Sequence, residues 1–549
     1  MKIEIENKVI ELSRPCRIIE LFNNKGYNYY AASVNNRLRE LDYIVSKDSK
    51  IELLDIKNQS VTRMYQATLR YIIVMALRNI RPKARINFRY SVSRHIFASV
   101  SHLGHPFLQQ DLNDLKNEVT RIINEDIPIT RFSLTKAEAQ KYYRSVGWYD
   151  KIDVLKYRKN PTVHVYKCLD FYDYMYGYML PSTGYIKSFD LKLYAPGFLI
   201  SYPRNDLNGE EPELADEKVF REVLKEANYW ANITGASSIA QINKKLDEKA
   251  VMEFINICEA KHNNQLSLLG EKIFKNINKI RLICVAGPSS SGKTTFTNRL
   301  KIELKVRGIQ PLMISMDDFY RVDQENYPKL PDGKPDLEHI EALDLELFDS
   351  TIFNLISGEE VALPVYDFHT GTRSFGEPIK INPNQPILIE GIHGLDDAIC
   401  PSIPDEAKFK IYIAPLIQYT IDDHNPISLS DLRLVRRMVR DFKFRGTGCE
   451  KTLSTWQSVR DGEFKWIYPY QNNADYVFNS ELGYELLVMS KHAIPLLEEV
   501  KNESPNYIAA NRLLKFLRLF EHISDKWVPC NSILREFIGD SIFYTTDTK

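Results

Sequence analysis

What the sequence lacks already narrows the class of protein. Its seven cysteines are scattered along 549 residues without any Cys-x-x-Cys pair. This pattern predicts reduced thiols and a cytoplasmic location, because disulfide frameworks need paired cysteines and an oxidising compartment. No run of about 18 apolar residues occurs, and the first residues lack the apolar core of a signal peptide. We therefore expect neither a membrane span nor secretion.

The sequence also lacks a net charge, since its 72 basic and 72 acidic residues cancel. Neutrality gives no support to a nucleic-acid partner. Hydrophobic residues make up 44% of the chain and charged residues 26%, as in folded globular proteins. A chain of this length exceeds what one hydrophobic core spans, so we expect a large soluble enzyme of several domains.

The most specific motif lies at residues 287–294, which read Gly-Pro-Ser-Ser-Ser-Gly-Lys-Thr. An apolar run precedes it and a helical pattern follows it to about Arg307, which is the setting of a phosphate-binding loop. Glycines let consecutive N–H groups face phosphate oxygens, and the helix N-terminus adds its positive dipole end. An incidental Gly/Ser-rich loop would not explain the flanking strand and helix. We predict that a nucleoside triphosphate binds at Gly287, Ser289, Ser290, Ser291, Gly292, Lys293, Thr294 and Thr295.

Two acidic residues, Asp317 and Glu390, follow predicted apolar strands downstream of the loop. Ligands bind at the carboxyl ends of strands in parallel sheets, so Asp317 could accept a substrate proton or support a metal. Glu390 and the Thr294 hydroxyl could hold Mg²⁺, while Lys293 reaches the β- and γ-phosphates. Taken alone, Asp317 is equally consistent with a helix cap or a turn.

A basic helix ending at a glycine is predicted over residues 433–446. Arg433, Arg437 and Arg440 recur at i, i+4 and i+7, so they share one face. Such a run is often a solvated surface. Next to a phosphate-binding loop, we interpret it as an arginine lid over the transferring phosphoryl group.

Six blocks between about residues 280 and 480 resemble the uridine–cytidine kinase family, whose relatives include phosphoribulokinase. The blocks follow the family's order and spacing. They are the phosphate loop and residues 315–320, 337–344, 363–368, 389–392 and 436–446. The resemblance implies an α/β P-loop kinase, with a parallel sheet between helices. It also implies transfer of the γ-phosphate of ATP, with Mg²⁺, to the 5′-hydroxyl of a nucleoside, most often uridine or cytidine.

The resemblance also implies a role for individual residues. Asp317 would be the general base for the 5′-hydroxyl, and Glu338 would hold the ribose hydroxyls where the family usually has Asp. The lid would be Arg437, Arg440 and Arg445, the last of these on ATP. The catalytic set would be Asp317, Lys293, Arg437 and Arg440. The substrate pocket would be lined by Tyr320, Glu338, Tyr366, Phe368 and Arg373, and Mg²⁺ would be held by Thr294 and Glu390.

Several departures from the family pattern leave the base undecided. A family histidine that contacts the pyrimidine aligns with Gly371, and the nearest histidine is His369. A glutamine of the lid that reads the base aligns near Thr455, and one family arginine is replaced by Thr447.

Two alternative functions therefore stay open. One is a kinase of the same fold for another hydroxylated substrate, such as a sugar phosphate. The other is a nucleotide-binding regulator or RNA-associated protein without turnover. The aromatic pair Tyr366 and Phe368 favours a planar base over a sugar phosphate, because a sugar phosphate would require additional cationic side chains in the pocket. Intact Lys293, Asp317 and Glu390 favour an enzyme.

The N-terminal segments carry a second resemblance. Residues 1–60 resemble the ubiquitin-like (β-grasp) TGS domain of threonyl-tRNA synthetases, and residues 61–205 resemble their α+β editing-type domain. The features that carry it are the strand patterns at Ile3–Ile5 and Ile51–Leu53, a helical stretch near Ile18–Asn23, a helix over Tyr65–Asn79 before Pro82, and the block 183–191.

The zinc ligands of that editing domain are missing. Their positions align with Ala67, Tyr71, Met175 and Met179, which together make no competent zinc set. We therefore expect no zinc and no hydrolytic editing. We do not expect tRNA or RNA binding, and we assign this region a binding, regulatory or assembly role.

The expected domains are a TGS-like β-grasp domain (1–60), an editing-like α+β domain (61–205), a helical linker region (206–276), a P-loop nucleoside kinase domain (277–490) and a C-terminal helical extension (491–549). The expected partner is a small nucleoside, and a homo-oligomer is left open.

Overall fold

The structure is a computed structural model that describes residues 1–6, 8–22, 27–214, 218–330, 333, 335–368, 370–417 and 419–543. Within these ranges, no helix is both long enough and apolar enough to cross a membrane. We use "N-terminal half" for residues 1–205 and "C-terminal half" for residues 277–543.

The chain begins with a mixed five-stranded sheet in the order β2-β1-β7-β4-β5. Strands β1 and β7 are adjacent in the sheet and run parallel, and all other neighbouring strands are antiparallel. The expected helix near Ile18–Asn23 is only a 3₁₀ turn at Ile18–Glu20, and residue 23 lies outside the described residues. The five strands of the sheet are β1 (Lys2–Ile5), β2 (Lys8–Glu11), β4 (Ala31–Val34), β5 (Arg37–Arg39) and β7 (Ser49–Leu54). Two short strands, β3 (Cys16–Arg17) and β6 (Ile44–Val45), pair with each other in a separate sheet.

The rest of the N-terminal half is mixed α and β, as expected. Its first helix starts where the Asn58 side chain accepts from Ser60 N, ends before Pro82, and is buried along most of its length. Two antiparallel sheets follow, β13-β14-β9-β8 and β10-β11-β12. The elements are α1 (Gln59–Ile80), β8 (Arg85–Val92), β9 (His95–Ser101), α2 (Gln109–Asn124), β10 (Thr130–Thr135), α3 (Lys136–Val146), α4 (Tyr149–Leu155), β11 (Thr162–Cys168), β12 (Phe171–Asp173), β13 (Asp190–Tyr194) and β14 (Gly197–Ser201).

The four positions aligned with zinc ligands lie in the core of this half. Ala67, Tyr71, Met175 and Met179 are all buried among apolar side chains. The Tyr71 hydroxyl donates to the backbone carbonyls of Tyr166 and Phe171 at 3.1 and 3.0 Å. These side chains therefore pack and hydrogen-bond within the core.

Helices connect the two halves, as the spacing of apolar residues predicts. The longest begins where the Asp247 carboxylate accepts from two backbone N–H groups, and it packs its apolar face against the sheet of the C-terminal half. The helices are α5 (Lys218–Ile233), α6 (Ile239–Asn243) and α7 (Glu248–Lys275).

The C-terminal half is built on a five-stranded sheet in the order β16-β19-β15-β20-β23, in which all neighbours are parallel. The expected parallel sheet between helices is thus confirmed. Its elements are β15 (Leu282–Ala286), α8 (Lys293–Val306), β16 (Leu312–Ser315), α9 (Leu345–Ile356), β17 (Val361–Asp367), β18 (Thr372–Ile379), β19 (Ile387–Glu390), β20 (Lys408–Ala414), β21 (Thr420–Asp422), β22 (Asn425–Pro426), α10 (Leu429–Arg445), α11 (Cys449–Trp466) and β23 (Tyr476–Asn479).

Three helices complete the chain: α12 (Glu485–Glu498), α13 (Tyr507–Leu517) and α14 (Arg535–Ile538). After α13 the chain turns, and Leu519 and Phe520 are buried in the main core. Helix α14 packs against α10.

The two halves share buried charges and an apolar core. Lys151 of the N-terminal half lies 3.0 Å from Asp173 and 3.1 Å from Asp422, the latter in the β21–β22 hairpin. His424 Nδ1 lies 2.6 Å from the same Asp173, and Phe88 N donates to the Asp423 carbonyl. A further apolar cluster joins Tyr90, Phe97 and Leu199 to Ala286, Tyr412 and Ala414. The halves are therefore packed as one body.

Candidate active site

The phosphate-binding loop joins β15 to α8 in a tight curl. Gly292 has φ of +91° and Ser290 has φ of +60°, and a side chain at Gly287 would collide with the Ile413 carbonyl. Lys293 Nζ donates back to the Gly287 carbonyl at 2.9 Å. Among the described residues, the buried hydroxyls of Ser290 and Ser291 have no hydrogen-bond partner. Unpartnered buried donors around a curled backbone fit an incoming phosphate.

Thr294 and Glu390 meet beside this loop because β15 and β19 are neighbours. Thr294 Oγ1 donates to the two Glu390 carboxylate oxygens at 3.1 and 3.3 Å. Burial raises the Glu390 pKa to about 7, against the nearby Lys293 charge. A hydroxyl and a carboxylate are oxygen ligands of the kind that Mg²⁺ prefers, so the pair fits that ion.

Asp317 lies next to this pair at the end of the neighbouring strand. Strands β16 and β19 pair Ser315 with Glu390, and Ser315 Oγ accepts from Asp317 N at 3.3 Å. Asp317 is exposed to solvent on one side, and protein atoms surround its carboxylate on the other. This burial raises the Asp317 pKa, while Lys293 and Arg445 oppose the shift. The site therefore holds an acid whose proton affinity is raised.

Three of the lid arginines gather on one carboxylate, Asp441. Its distances to Arg437, Arg440 and Arg445 are 3.2, 2.7 and 3.7 Å. Arg437 also donates to Ser289 Oγ in the phosphate loop at 2.9 Å. Asp441 was not singled out from the sequence, although it stands in the same basic run. It holds the three cations beside the loop.

Arg433 differs from the lid that the helical spacing predicts. It is buried, it forms an ion pair with Glu463, and its Nε donates to the Ser289 carbonyl at 3.0 Å. Glu463 neutralises the charge of Arg433 inside the protein, so Arg433 holds the backbone of the phosphate loop through the Ser289 carbonyl.

Three aromatic rings form one side of the cleft. Tyr320, Tyr366 and Phe368 have ring centroids 5.0 to 5.8 Å apart. Arg373 holds this wall, since it pairs with Asp344 at 3.0 Å and donates to the Tyr320 carbonyl at 2.7 Å. Phe368 is half exposed at the rim. The rings offer a flat apolar surface for a planar group.

Glu338 lies between this wall and the lid. Burial raises its pKa, and the nearby Arg437 and Lys293 charges oppose that shift. A side chain at Gly462 of α11 would collide with Glu338, so α11 packs closely against Glu338 at this position. The structure thus brings the predicted base, lid, metal pair and pocket into one cleft.

Glu536 is a residue of this site that sequence reasoning missed. Thr295 N at the start of α8 donates to Glu536 Oε2 at 3.0 Å. Helix α14 is fixed there because Lys443 Nζ donates to the Ile538 carbonyl at 2.7 Å. Thr295 and Glu536 are 241 residues apart, and no motif marks the glutamate.

Comparison with known proteins identifies the family of this part of the chain. Residues 282–483 match the phosphoribulokinase / uridine kinase family model. The uridine kinase of Ligilactobacillus salivarius is 30% identical over 216 residues, which are 38% of this chain and 92% of that protein. The chain belongs to the phosphoribulokinase / uridine kinase family. Like that family, it is a phosphotransferase that uses a hydroxyl group as acceptor.

Two further matches cover a similar share of the chain. The uridine kinase of Anoxybacillus flavithermus is 32% identical over 197 residues, or 36% of this chain and 84% of that protein. A solved structure, titled as that of a possible uridine kinase from Bacillus stearothermophilus, covers 40% of this chain and 98% of its own at 20% identity and a TM-score of 0.27. The N-terminal half lies outside the family match.

Proposed function

We propose that this family member transfers the γ-phosphate of ATP to the 5′-hydroxyl of a pyrimidine nucleoside. The observation that carries the proposal is the wall of Tyr320, Tyr366 and Phe368 opening onto the same cleft as Asp317 and the phosphate loop. A flat apolar wall suits a base, and a carboxylate beside the loop suits the hydroxyl that attacks phosphorus.

Each group in the cleft then has one task. Asp317 accepts the proton of the attacking hydroxyl. Lys293 and the arginines held by Asp441 stabilise the charge that spreads over the transferring phosphoryl oxygens. Thr294 and Glu390 would hold Mg²⁺, which supplies further charge neutralisation of the phosphates when bound.

The sugar and the base of the nucleoside would be contacted by different side chains. Glu338 would accept hydrogen bonds from ribose hydroxyls, and the aromatic wall would stack on the base. The relatives from Ligilactobacillus salivarius and Anoxybacillus flavithermus are uridine kinases, which favours uridine as the substrate. Gly371, which aligns with the family's base-reading histidine, offers no side chain for that task, and His369 lies outside the described residues.

A substrate panel tests the proposal. Purified full-length protein with ATP and Mg²⁺ is offered uridine, cytidine, adenosine, guanosine, thymidine and ribulose 5-phosphate, and ADP release is measured. We expect turnover with uridine or cytidine. It should be lost in Lys293→Ala, whereas Lys305→Ala, an exposed lysine of the same helix, should retain it. Turnover with the sugar phosphate alone, or with no acceptor, would contradict the proposal.

We also propose that residues 1–60 are a TGS-like β-grasp domain, and that residues 1–205 have a binding, regulatory or assembly role. The order β2-β1-β7-β4-β5, with its parallel central pair, supports this assignment. Hydrolytic editing is not proposed for the region that follows, because core side chains stand where that chemistry would need zinc ligands.

A further inference from the structure

A second cavity, of about 1810 Å³, lies between the two halves. Its described walls come from both halves: they include β5, the chain before β11, the start of α10, and α11 and α13. Thirteen arginines and two lysines line it, against six acidic residues. A neutral chain therefore concentrates positive charge in one concave place.

Most of the acids of this cavity are already engaged. Asp431 lies between two arginines, as does Asp206, and Glu498 has one arginine partner. Glu210, Glu211 and Glu213 follow β14, and Glu211 accepts the Ser188 hydroxyl. The ion pairs are Asp431 with Arg63 and Arg512, Asp206 with Arg94 and Arg204, and Glu498 with Arg518.

Five of the remaining cations form one group, which we call the basic cluster: Arg37, Arg39, Arg131, Arg158 and Lys515. They come from β5, β10, the chain before β11, and α13. Each of the four arginines rests on a tyrosine ring. A ring face orients a guanidinium without cancelling its charge. The pairs are Arg37 with Tyr507 (5.5 Å), Arg39 with Tyr43 (4.5 Å), Arg131 with Tyr178 (5.0 Å) and Arg158 with Tyr174 (5.0 Å).

Acceptors for these cations are few among the described residues. Arg131 faces Glu40 at 3.9 Å, but that carboxylate takes the Tyr166 hydroxyl at 2.6 Å. Arg37 donates to the Asn502 side-chain oxygen at 2.8 Å and Arg39 to the Tyr178 hydroxyl at 3.2 Å, and both of these acceptors are neutral. Apart from Glu40, the described partners of the cluster are neutral, so most of its positive charge has no counter-ion.

The members of the cluster are close enough to repel one another. Burial lowers the Lys515 pKa first, and the charges of Arg131, Arg39, Arg37 and Arg158 lower it further. Like charges held together destabilise the fold unless a counter-charge binds between them. The arrangement therefore favours a ligand with several negative charges.

We propose that the basic cluster binds a small polyphosphorylated ligand of the nucleoside polyphosphate class, at a site separate from the phosphate loop. Guanidinium forks match phosphate oxygens in bidentate pairs, and one compact triphosphate meets several cations at once. The tyrosine rings offer stacking surfaces beside them. The enclosure by two halves favours such a ligand over an RNA. Arg433 lines this cavity and also bonds the phosphate-loop backbone, which connects the two sites physically.

Calorimetric titration with inorganic tripolyphosphate tests the proposal at about 0.15 M salt, where weak surface attraction is screened. Under the proposed function the phosphate loop would also bind tripolyphosphate, so we expect two sites in the full-length wild type and one in Lys293→Ala. In the Lys293→Ala background, Arg131→Ala should weaken the remaining site at least about tenfold, the scale of one lost charge-assisted contact. Lys141→Ala, an exposed lysine outside the cavity, should change it less than about twofold.

The outcomes are decisive in both directions. If Arg131→Ala loses the circular dichroism of the native fold, Arg158→Ala takes its place in the same titration. The proposal is overturned if Lys293→Ala binds no tripolyphosphate, or if the cluster variant binds it as tightly as Lys141→Ala does. It is also overturned if a short RNA hairpin binds the cavity and tripolyphosphate does not displace it.

Discussion

At the scale of single residues, Asp317 and Glu338 are two carboxylates of one cleft with different surroundings. Asp317 lies at the strand end next to Glu390 and the phosphate loop. Glu338 lies between the aromatic wall and the lid, against α11. A base for a hydroxyl must be near the transferring phosphorus, whereas a group that holds the sugar need not be. The two carboxylates should therefore affect different kinetic constants.

We expect Asp317→Asn to lower kcat at least about a hundredfold, the scale of a lost general base, with little change in ATP affinity. Glu338→Gln should act mainly on the KM for the nucleoside, because it removes a binding contact remote from phosphorus. Steady-state kinetics of both variants check this. If the two variants exchanged these effects, the positions of base and sugar would be assigned the wrong way round.

The pH dependence of the reaction follows from the raised Asp317 pKa. The carboxylate must be ionised to accept a proton, so activity should fall as pH decreases through that pKa. Because burial raises it, this acid limb should lie at a higher pH than the pKa of an ordinary aspartate. The profile of kcat against pH measures the limb. Asp317→Asn should lose it, and an unchanged limb in that variant would assign it to another group.

At the scale of elements, the sequence predicts what short-range patterns encode. The loop after β15, the acids after β16 and β19, and the arginine helix ending at Gly446 are all where periodicity and motif place them. These features depend on neighbours within a few residues and on the common edge of a parallel sheet. The same reasoning places Arg433 on the lid face but cannot foresee its burial against Glu463.

Contacts between distant elements could not be foreseen. The basic cluster combines β5, β10 and α13, and the buried pairs of the β21–β22 hairpin join residues about 250 positions apart in the chain. In the sequence alone, each of these charged residues is typical of an ordinary surface position. Only the tertiary packing of the two halves brings them together.

Helix α14 gives a prediction at this scale. The Glu536 carboxylate accepts a hydrogen bond from the Thr295 N–H at the N-terminus of α8. Phosphate groups bind at helix N-termini, so Glu536 should compete with ATP. We expect Glu536→Ala to lower the Kd for ATP about threefold to tenfold, since a carboxylate at a helix N-terminus stabilises by up to ~2 kcal/mol.

Titration with a fluorescent ATP analogue measures this change. The control is Glu521→Ala, which removes an exposed glutamate from the same C-terminal region and should leave the Kd unchanged. Equal Kd values for Glu536→Ala and wild type would show that α14 does not compete with the nucleotide.

At the scale of the whole molecule, the buried ion group around Lys151 makes the halves interdependent. Lys151, Asp173 and Asp422 are all nearly inaccessible to solvent. Removing one partner of such a group leaves a buried charge uncompensated, at a cost of about 3–5 kcal/mol. We expect Lys151→Met to lower the free energy of unfolding by that amount. Lys156→Met, at an exposed neighbouring lysine, should change it by less than ~1 kcal/mol.

Urea unfolding followed by hydrogen exchange in both halves checks this expectation. Both halves should lose protection in one transition, and Lys151→Met should shift that transition for both. Two separate transitions, with only one moved by the substitution, would show that the halves fold independently.

The shared ion group also has a consequence during synthesis of the chain. Lys151 emerges from the ribosome 271 residues before Asp422, the partner that completes its burial. At about 5–20 residues per second, this interval is roughly 14 to 54 seconds. For that time the nascent N-terminal half carries charges and an apolar face whose partners have not yet been made. We therefore expect the growing chain to bind chaperones at the ribosome. Slow translation between the halves would prolong the exposure of this apolar face.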